Sequence, residues 1–234
     1  MDLRAFVRSP VKSKLRVLAL ICDGASTNKK FINMHTCSDE SSDVVYVTKN
    51  LASGEERDLF FIIDPPHLLK TLRKCFANSY AHRKTRKLWK EGQDISWEAI
   101  TTLHEVTLKQ KYRDTKLTRD HVRLNSYSCM SVVLASQVMS NSVVTDLKKH
   151  RNDSRFKNLV NDQLLRYIKL VNDFFDCLNG DGEGERVKEN DFLKSYDDIG
   201  DTRIEYLKSE VLAFFEDWEI DVLSRWGNFS KTVH

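Results

Sequence analysis

Short apolar runs separated by polar turns fill the first eighty residues, and further on the apolar spacing becomes that of amphipathic helices. Leu15–Cys22 (LRVLALIC) is a continuous apolar run of strand length, which predicts a strand buried on both faces. Asp23-Gly24 breaks it, and Ser26 or Thr27 is placed to cap a short helix. Val44–Val47 reads as a brief second strand, Asn50–Arg57 as a polar loop containing Gly54, and Leu59–Ile63 (LFFII) as a third strand. Asp64-Pro65-Pro66 ends that strand, and proline suits the first turn of a helix over His67–Asn78. The order β-α-β-β-α is part of a mixed α/β sheet, not a closed unit.

From about Ser96 the pattern is helical. Trp97, Ile100, Leu103, Val106 and Thr107 fall on one face behind a Ser96 cap. Tyr127–Lys149 carries apolar residues at helical spacing, as does Phe156–Leu178 through Leu159, Leu164, Ile168, Val171, Phe174 and Phe175. Asn179-Gly180 supplies a stop. Gly180–Glu185 (GDGEGE) reads as a flexible acidic surface loop and Ile204–Trp226 as a last long amphipathic helix. No internal repeat is found. The division is therefore residues 1–90, a partial α/β unit, and residues 91–234, a mainly α-helical domain.

Composition narrows this little. With 234 residues, 41% hydrophobic and 30% charged, the chain has ample material for a core and is unlike a disordered one. Three prolines and eight glycines exclude collagenous and linker-like architectures. No apolar run approaches the ~20 residues of a membrane span, and no membrane association is expected. Cys22, Cys37, Cys75, Cys129 and Cys177 are odd in number and scattered, with no CxxC pair. Reduced intracellular thiols are expected, and zinc is not.

Charge is uneven. Pro65–Lys90 carries eight Lys/Arg and no acid, whereas Val171–Asp221 carries sixteen Asp/Glu against five Lys/Arg. The basic stretch fits either a surface that meets phosphates, DNA included, or a solvated helix face followed by a basic loop.

Two aspartates end apolar strands, Asp23 after LALIC and Asp64 after LFFII. Ligands of open α/β sheets gather at that edge, so both read as metal ligands or acid–base groups, or as turn and helix caps. His67 lies three residues beyond Asp64 at a helix start, as a neighbour in such a site or as a cap. Neither GxxxxGK[ST] nor GxGxxG is present, so a nucleotide would be held in another way.

Several phrases, in order, resemble the P-element family of DNA transposases, which includes vertebrate proteins with an N-terminal THAP zinc finger. They are LALICDGASTNKKF, FIIDPPHLLKTLRK, KLTRDHV, ASQVMSNSV and NDFFDCLN, with D-P-P-H-L-L-K the most specific, and the resemblance covers nearly the whole chain, from about Arg16 to Trp226. The resemblance implies a partial RNase H-like core followed by a helical insertion domain that binds guanine nucleotide. In the family the core cuts and joins DNA with a D-D-E triad and divalent metal, Mg²⁺ for the complete enzyme. By motif Asp23 matches the second catalytic aspartate and so a metal ligand. Asp64 and His67 belong to a signature beside the core. Three carboxylates can hold two metal ions that activate a nucleophile and stabilise the leaving oxygen, and one cannot. No D-E-M-like phrase precedes Asp23 and no L-E-N-F-F-S-like phrase follows the insertion. Asp2 and Glu219 are the nearest carboxylates by order, without that context. The expectation is a fragment or domesticated remnant that does not cut DNA alone.

The resemblance also carries over guanine-contacting positions: Lys116 in KLT, Val132 and Ser140 in SVVLASQVMS, and Phe175, Asp176 and Asn179 in FFDCLN. Asp176 and Asn179, three apart, would face guanine's N1–H, 2-amino group and O6, with Phe175 as an aromatic face and Lys116 toward phosphate. Without the family, Phe175 is core and Asp176 and Asn179 are a helix stop. The family tends to have lysines where this chain has Ser131 and Val133, which removes cationic contacts. The expected partners are GTP and DNA, the location is nuclear, and oligomerisation is left open. The competing reading is a non-catalytic helical interaction protein that has lost both ligands.

Overall fold

The structure is a computed structural model that describes residues 16–35, 46–50, 57–79, 86–180 and 190–226. Asp2, the residues around Gly54, Arg83, Lys84 and most of the acidic loop after Gly180 lie outside these. Contacts divide the chain into units of residues 1–68 and 69–234, earlier than the boundary at 90 expected from the sequence. The reason is the helix Pro65–Ala77, whose buried Leu69, Phe76 and Ala77 belong to the core of the second unit.

In the first unit, β1 (Ala19–Cys22) is followed by α1 (Ser26–Asn33), β2 (Val47–Asn50) and β3 (Arg57–Ile63), and α2 (Pro65–Ala77) begins here. The expected β-α-β-β-α order is present. The sheet runs β1-β3-β2, with β1 parallel and β2 antiparallel to β3. Alternation along β3 buries Leu59 and Phe61 and turns Phe60 and Ile62 outward. Phe31 and His35 pack edge-on or tilted against Phe61, at 6.0 and 5.5 Å between ring centroids. The expectation of a β1 buried on both faces is not met, because Ile21 is 67% exposed. β1 is an edge strand, and Ile21 shares the outward face of its partner Ile62, which no described residue of the unit covers. Neither Ser26 nor Thr27 caps α1; the turn is closed by the Asp23 carboxylate, which accepts from the Ala25 N–H and the Asn28 amide.

The second unit opens with a hairpin that the apolar pattern did not reveal. β4 (Trp89–Lys90) and β5 (Gln93–Asp94) are joined by Glu91 and Gly92 at φ 51° and 77°. Positive φ at both positions is the geometry that twists a two-residue loop to match its strands. Then come α3 (Glu98–Thr107), α4 (Arg119–Val122), α5 (Ser126–Met130), α6 (Val132–Val138), α7 (Asn141–His150) and α8 (Asp162–Leu178). The expected face Trp97, Ile100, Leu103, Val106 and Thr107 is buried, and the Ser96 hydroxyl accepts the Glu98 N–H.

Tyr127–Lys149 is not one helix. Ser131 accepts from the Leu134 N–H and Ser140 from that of Val143, so each serine starts a new helix and re-aims the chain. Asn161 caps α8 in the same way through Leu164. The final helix is α9 (Thr202–Tyr206), a π-helical stretch Leu207–Leu212 and α10 (Ala213–Trp226). A chain of edge-to-face rings ties four helices together: Phe76–Trp97 at 5.0 Å, Phe76–Tyr167 at 5.6 Å and Tyr167–Trp218 at 5.7 Å. Each such pair contributes roughly 0.5–1.5 kcal/mol beyond its buried area. No helix among the described residues is long and apolar enough to cross a membrane.

Candidate nucleotide-binding site

The parallel pairing of β1 and β3 sets Cys22 opposite Ile63 and brings Asp23 and Asp64 to the same sheet edge, with the Asp64 N–H on the Cys22 carbonyl at 2.8 Å. Both carboxylates do local work. Asp23 Oδ1 takes the Asn28 amide at 2.6 Å and the Ala25 N–H at 3.1 Å, and Asp64 Oδ2 takes the His67 N–H at 2.9 Å, capping α2. Among the described residues no three metal-capable side chains gather. The described residues therefore do not by themselves form a site for the Mg²⁺ that the family resemblance implies.

The basic stretch is smaller on the surface than in the sequence. Arg73 and Lys90 are 0% and 2% exposed. Lys90 lies under the Phe214 ring and beside Glu91, and Lys87 faces Asp94 at 3.6 Å. Lys74, Arg86 and Lys87 remain as exposed described cations there.

In the second unit the candidate residues distribute as follows. Lys116 is exposed between buried Thr115 and Leu117, as alternation along an extended stretch requires. Val132 opens α6, half-buried, and Ser131 beside it is spent on the cap. Ser140 donates to the Gln137 carbonyl and caps α7, which packs along α8. Phe175 is 7% exposed and its ring belongs to the core, so it offers little open face to a base. Asn179 is exposed and ends α8. No side-chain hydrogen bond or ion pair joins any two of these six among the described residues.

Asp176 is different. Its Oδ2 accepts from Asn172 Nδ2 at 2.9 Å and Asn190 Nδ2 at 2.8 Å, both neutral amides. Burial pushes its carboxyl above the ordinary aspartate range and the neighbouring Asp173 charge adds to this, against the two amide bonds. One turn earlier on the same face, Asp173 is fully buried and bound by Lys169 and by the Tyr206 hydroxyl at 2.6 Å.

The segment from Asn190 to Asp201 straps this end of α8. Arg203 holds it, donating to the carbonyls of Phe192, Lys194 and Ser195 and to Asp201, and stacking 3.8 Å from the Tyr196 ring. The Tyr196 hydroxyl reaches the Cys177 carbonyl at 3.0 Å, and burial pushes the Cys177 thiol up to about 11. Asn172 was legible beforehand as an i, i+4 neighbour of Asp176. Asn190 was not, since the acidic loop separates it from α8. What the arrangement offers chemically is a half-buried carboxylate positioned by two neutral amides.

The family described as TNP-like, GTP-binding insertion domain matches residues 66–189, more than half of the chain, and the chain belongs to it as a P-element-type, transposase-like protein. Among solved structures, the Drosophila P element transposase strand transfer complex matches with a TM-score of 0.69 at 19% identity, over 88% of this chain and 43% of that chain. The chain thus spans under half of that protein's length, and at this identity the likeness is one of fold. A search of curated proteins finds no match.

Proposed function

We propose that the helical unit binds a guanine nucleotide, with Asp176 as the carboxylate that reads the base. Asn179 lies beside it, Lys116 is directed at phosphate, and Val132 and Ser140 flank the ligand. In this reading the strand-bearing unit belongs to an RNase H-like core, with Asp23 as its matched carboxylate. DNA is the macromolecular partner and the nucleus the location. One matched carboxylate cannot by itself hold the two-metal arrangement of strand transfer, which needs further carboxylates.

The observation that carries the reading is the half-buried Asp176, held by two neutral amides and paired with no cation among the described residues. An ionised carboxylate there accepts from guanine N1–H and the 2-amino group together, whereas adenine has no such pair of donors. Loss of a charged hydrogen bond costs roughly 1.5–3 kcal/mol, so Asp176→Ala is expected to weaken GTP by about one to two orders of magnitude. In Asp176→Asn the amide donates to the 2-oxo group of xanthine, and preference shifts from GTP toward XTP. Equal titration of GTP and ATP by the unmutated chain would refute the assignment.

A second reading, a helical interaction protein without nucleotide, draws on Ser131, Ser140 and Phe175, which are committed to caps and core. The same titration decides between them, since that reading requires no GTP binding at all.

A further inference from the structure

A cleft of about 1000 Å³ opens in the second unit between α3 and α4, and neither Asp176 nor any other position matched to the family's nucleotide contacts is among the residues that line it. Its size is at the upper end of small-ligand sites. The α3 side carries Glu98 and Glu105, seven apart and so on one face of that helix. The other side carries Arg113 from the connecting loop and Arg119 and Arg123 from the region of α4, four apart. Among the described residues none of these five makes an ion pair, although they line the same space. Two guanidiniums at i, i+4 repel each other, and no ion pair among the described residues neutralises them.

Their field is felt at the cleft wall. His104 is 8% exposed, and burial, then Arg113, His121 and Arg123, depress its proton affinity against the opposing pull of Glu105. Trp97, Val122 and Leu124 provide apolar wall between the charged sides. The cleft is thus cationic on one side, anionic on the other and apolar between. That is the polarity of a ligand with a phosphate at one end and a base carrying amino donors at the other.

We propose that this cleft is a second site, for one nucleotide unit, with its phosphate on Arg113, Arg119 and Arg123 and its base donors toward Glu98 and Glu105. The unit is either a free nucleotide or the terminal residue of a nucleic-acid strand, which present the same chemistry. The site is independent of the Asp176 reading. AMP separates the two, because adenine offers Asp176 no paired N–H donors.

The experiment is equilibrium titration of AMP into the full chain, its Asp176→Ala variant and the Arg119→Ala/Arg123→Ala double variant, with thermal melts alongside. Both arginines are exposed and make no ion pair among the described residues, so the double variant is expected to melt as the parent does. AMP should bind the parent and Asp176→Ala equally, and the double variant about a hundredfold more weakly, about a factor of ten for each charged contact. Glu105→Ala should weaken AMP severalfold without weakening inorganic phosphate. A 5′-phosphorylated DNA trinucleotide that binds more tightly than AMP identifies a strand end as the source, and one that binds no better identifies a free nucleotide. No AMP binding, binding indifferent to both arginines, or phosphate binding as tightly as AMP would overturn the proposal. Arg123→Glu is the second variant should the double alanine melt early, and it must abolish AMP binding.

Discussion

Asn190 offers a direct test of how the Asp176 carboxylate is used. Oδ2 accepts two amides, from Asn172 and Asn190. A guanine that brings one donor to each carboxylate oxygen would put a third donor on Oδ2, so one amide must yield. Asn172 is fixed by its place one turn back on α8, and it also leans on Asp173 Oδ1 at 3.3 Å. Asn190 comes from another segment, and its own Oδ1 is held by the Phe192 N–H at 3.1 Å. Asn190 is the amide that gives way. Breaking its bond to an ionised acceptor costs about 1.5–3 kcal/mol, of which solvation of the released amide restores a large part, leaving about 1 kcal/mol. Asn190→Ala removes that cost beforehand, so GTP is expected to bind about fivefold more tightly. The variant also loses a cap on the short helix Asp191–Leu193, and its stability should fall by about 1 kcal/mol. The assay is calorimetric titration of GTP below the onset of melting, with urea unfolding as the control. Weaker binding in Asn190→Ala would refute the competition and make Asn190 a support of the bound state.

Four further outcomes are expected. Arg203→Met removes the guanidinium that gathers three carbonyls and Asp201, and should destabilise the chain by about 3 kcal/mol, lowering Tm by about 6–12 °C; an unchanged melt would mean the strap is not pinned there. In Gly180→Ala the new Cβ would stand 2.5 Å from the Leu193 carbonyl oxygen, so urea unfolding should show a loss of about 1–3 kcal/mol, and no loss would contradict the close approach. Because burial raises the Asp176 proton affinity in the folded chain, this group adds stability below the ordinary aspartate range and loses it as pH rises through the raised value. GTP binding has the opposite slope, weakening as acid protonates the carboxylate, and a pH titration of affinity should be flat in Asp176→Asn. Arg73 is fully buried, and among the described residues Nε and Nη1 have no partner and Nη2 is bonded to the Ser128 carbonyl, so Arg73→Met should be neutral within about 1 kcal/mol by chemical denaturation; Arg73→Ala, which leaves a cavity, should cost about 3 kcal/mol.

Much of the fold could be read from residues whose local chemistry has one outcome. Pro65-Pro66 starts α2, and the spacing from Trp97 to Thr107 names the face that α3 buries. Misreadings came where a polar side chain competes with the apolar period. Ser131 and Ser140 sit in an otherwise helical run, and only their bonds to Leu134 and Val143 reveal them as caps that divide it. The hairpin around Glu91-Gly92 was hidden because its strands are two residues each, too short for alternation to register. Charge was the least reliable guide. The eight cations of the basic stretch include Arg73 and Lys90, which lie inside, and cations of the α3–α4 cleft that no ion pair neutralises fall in a segment of ordinary composition. At the candidate site the matched positions were legible as a list. What could not be read was which of them the fold had already spent, because that depends on partners brought from elsewhere, Asn190 above all.

Two aspartates one turn apart on α8 show why partners decide function more than residue type. Asp173 is wholly buried, yet Lys169 and the Tyr206 hydroxyl give its charge a cation and a strong donor. The same contact, together with burial, raises the proton affinity of the Tyr206 phenol, so the donor stays protonated. That carboxylate is satisfied and sealed, and it ties α8 to α9. Asp176 is less buried and receives only neutral amides, so its charge is solvated but not compensated. An uncompensated carboxylate in a half-dry setting is costly until paired donors meet it, because burial has removed part of its water. Asp173 therefore holds the helix end in place, and Asp176 is the carboxylate that the proposed guanine contact would use.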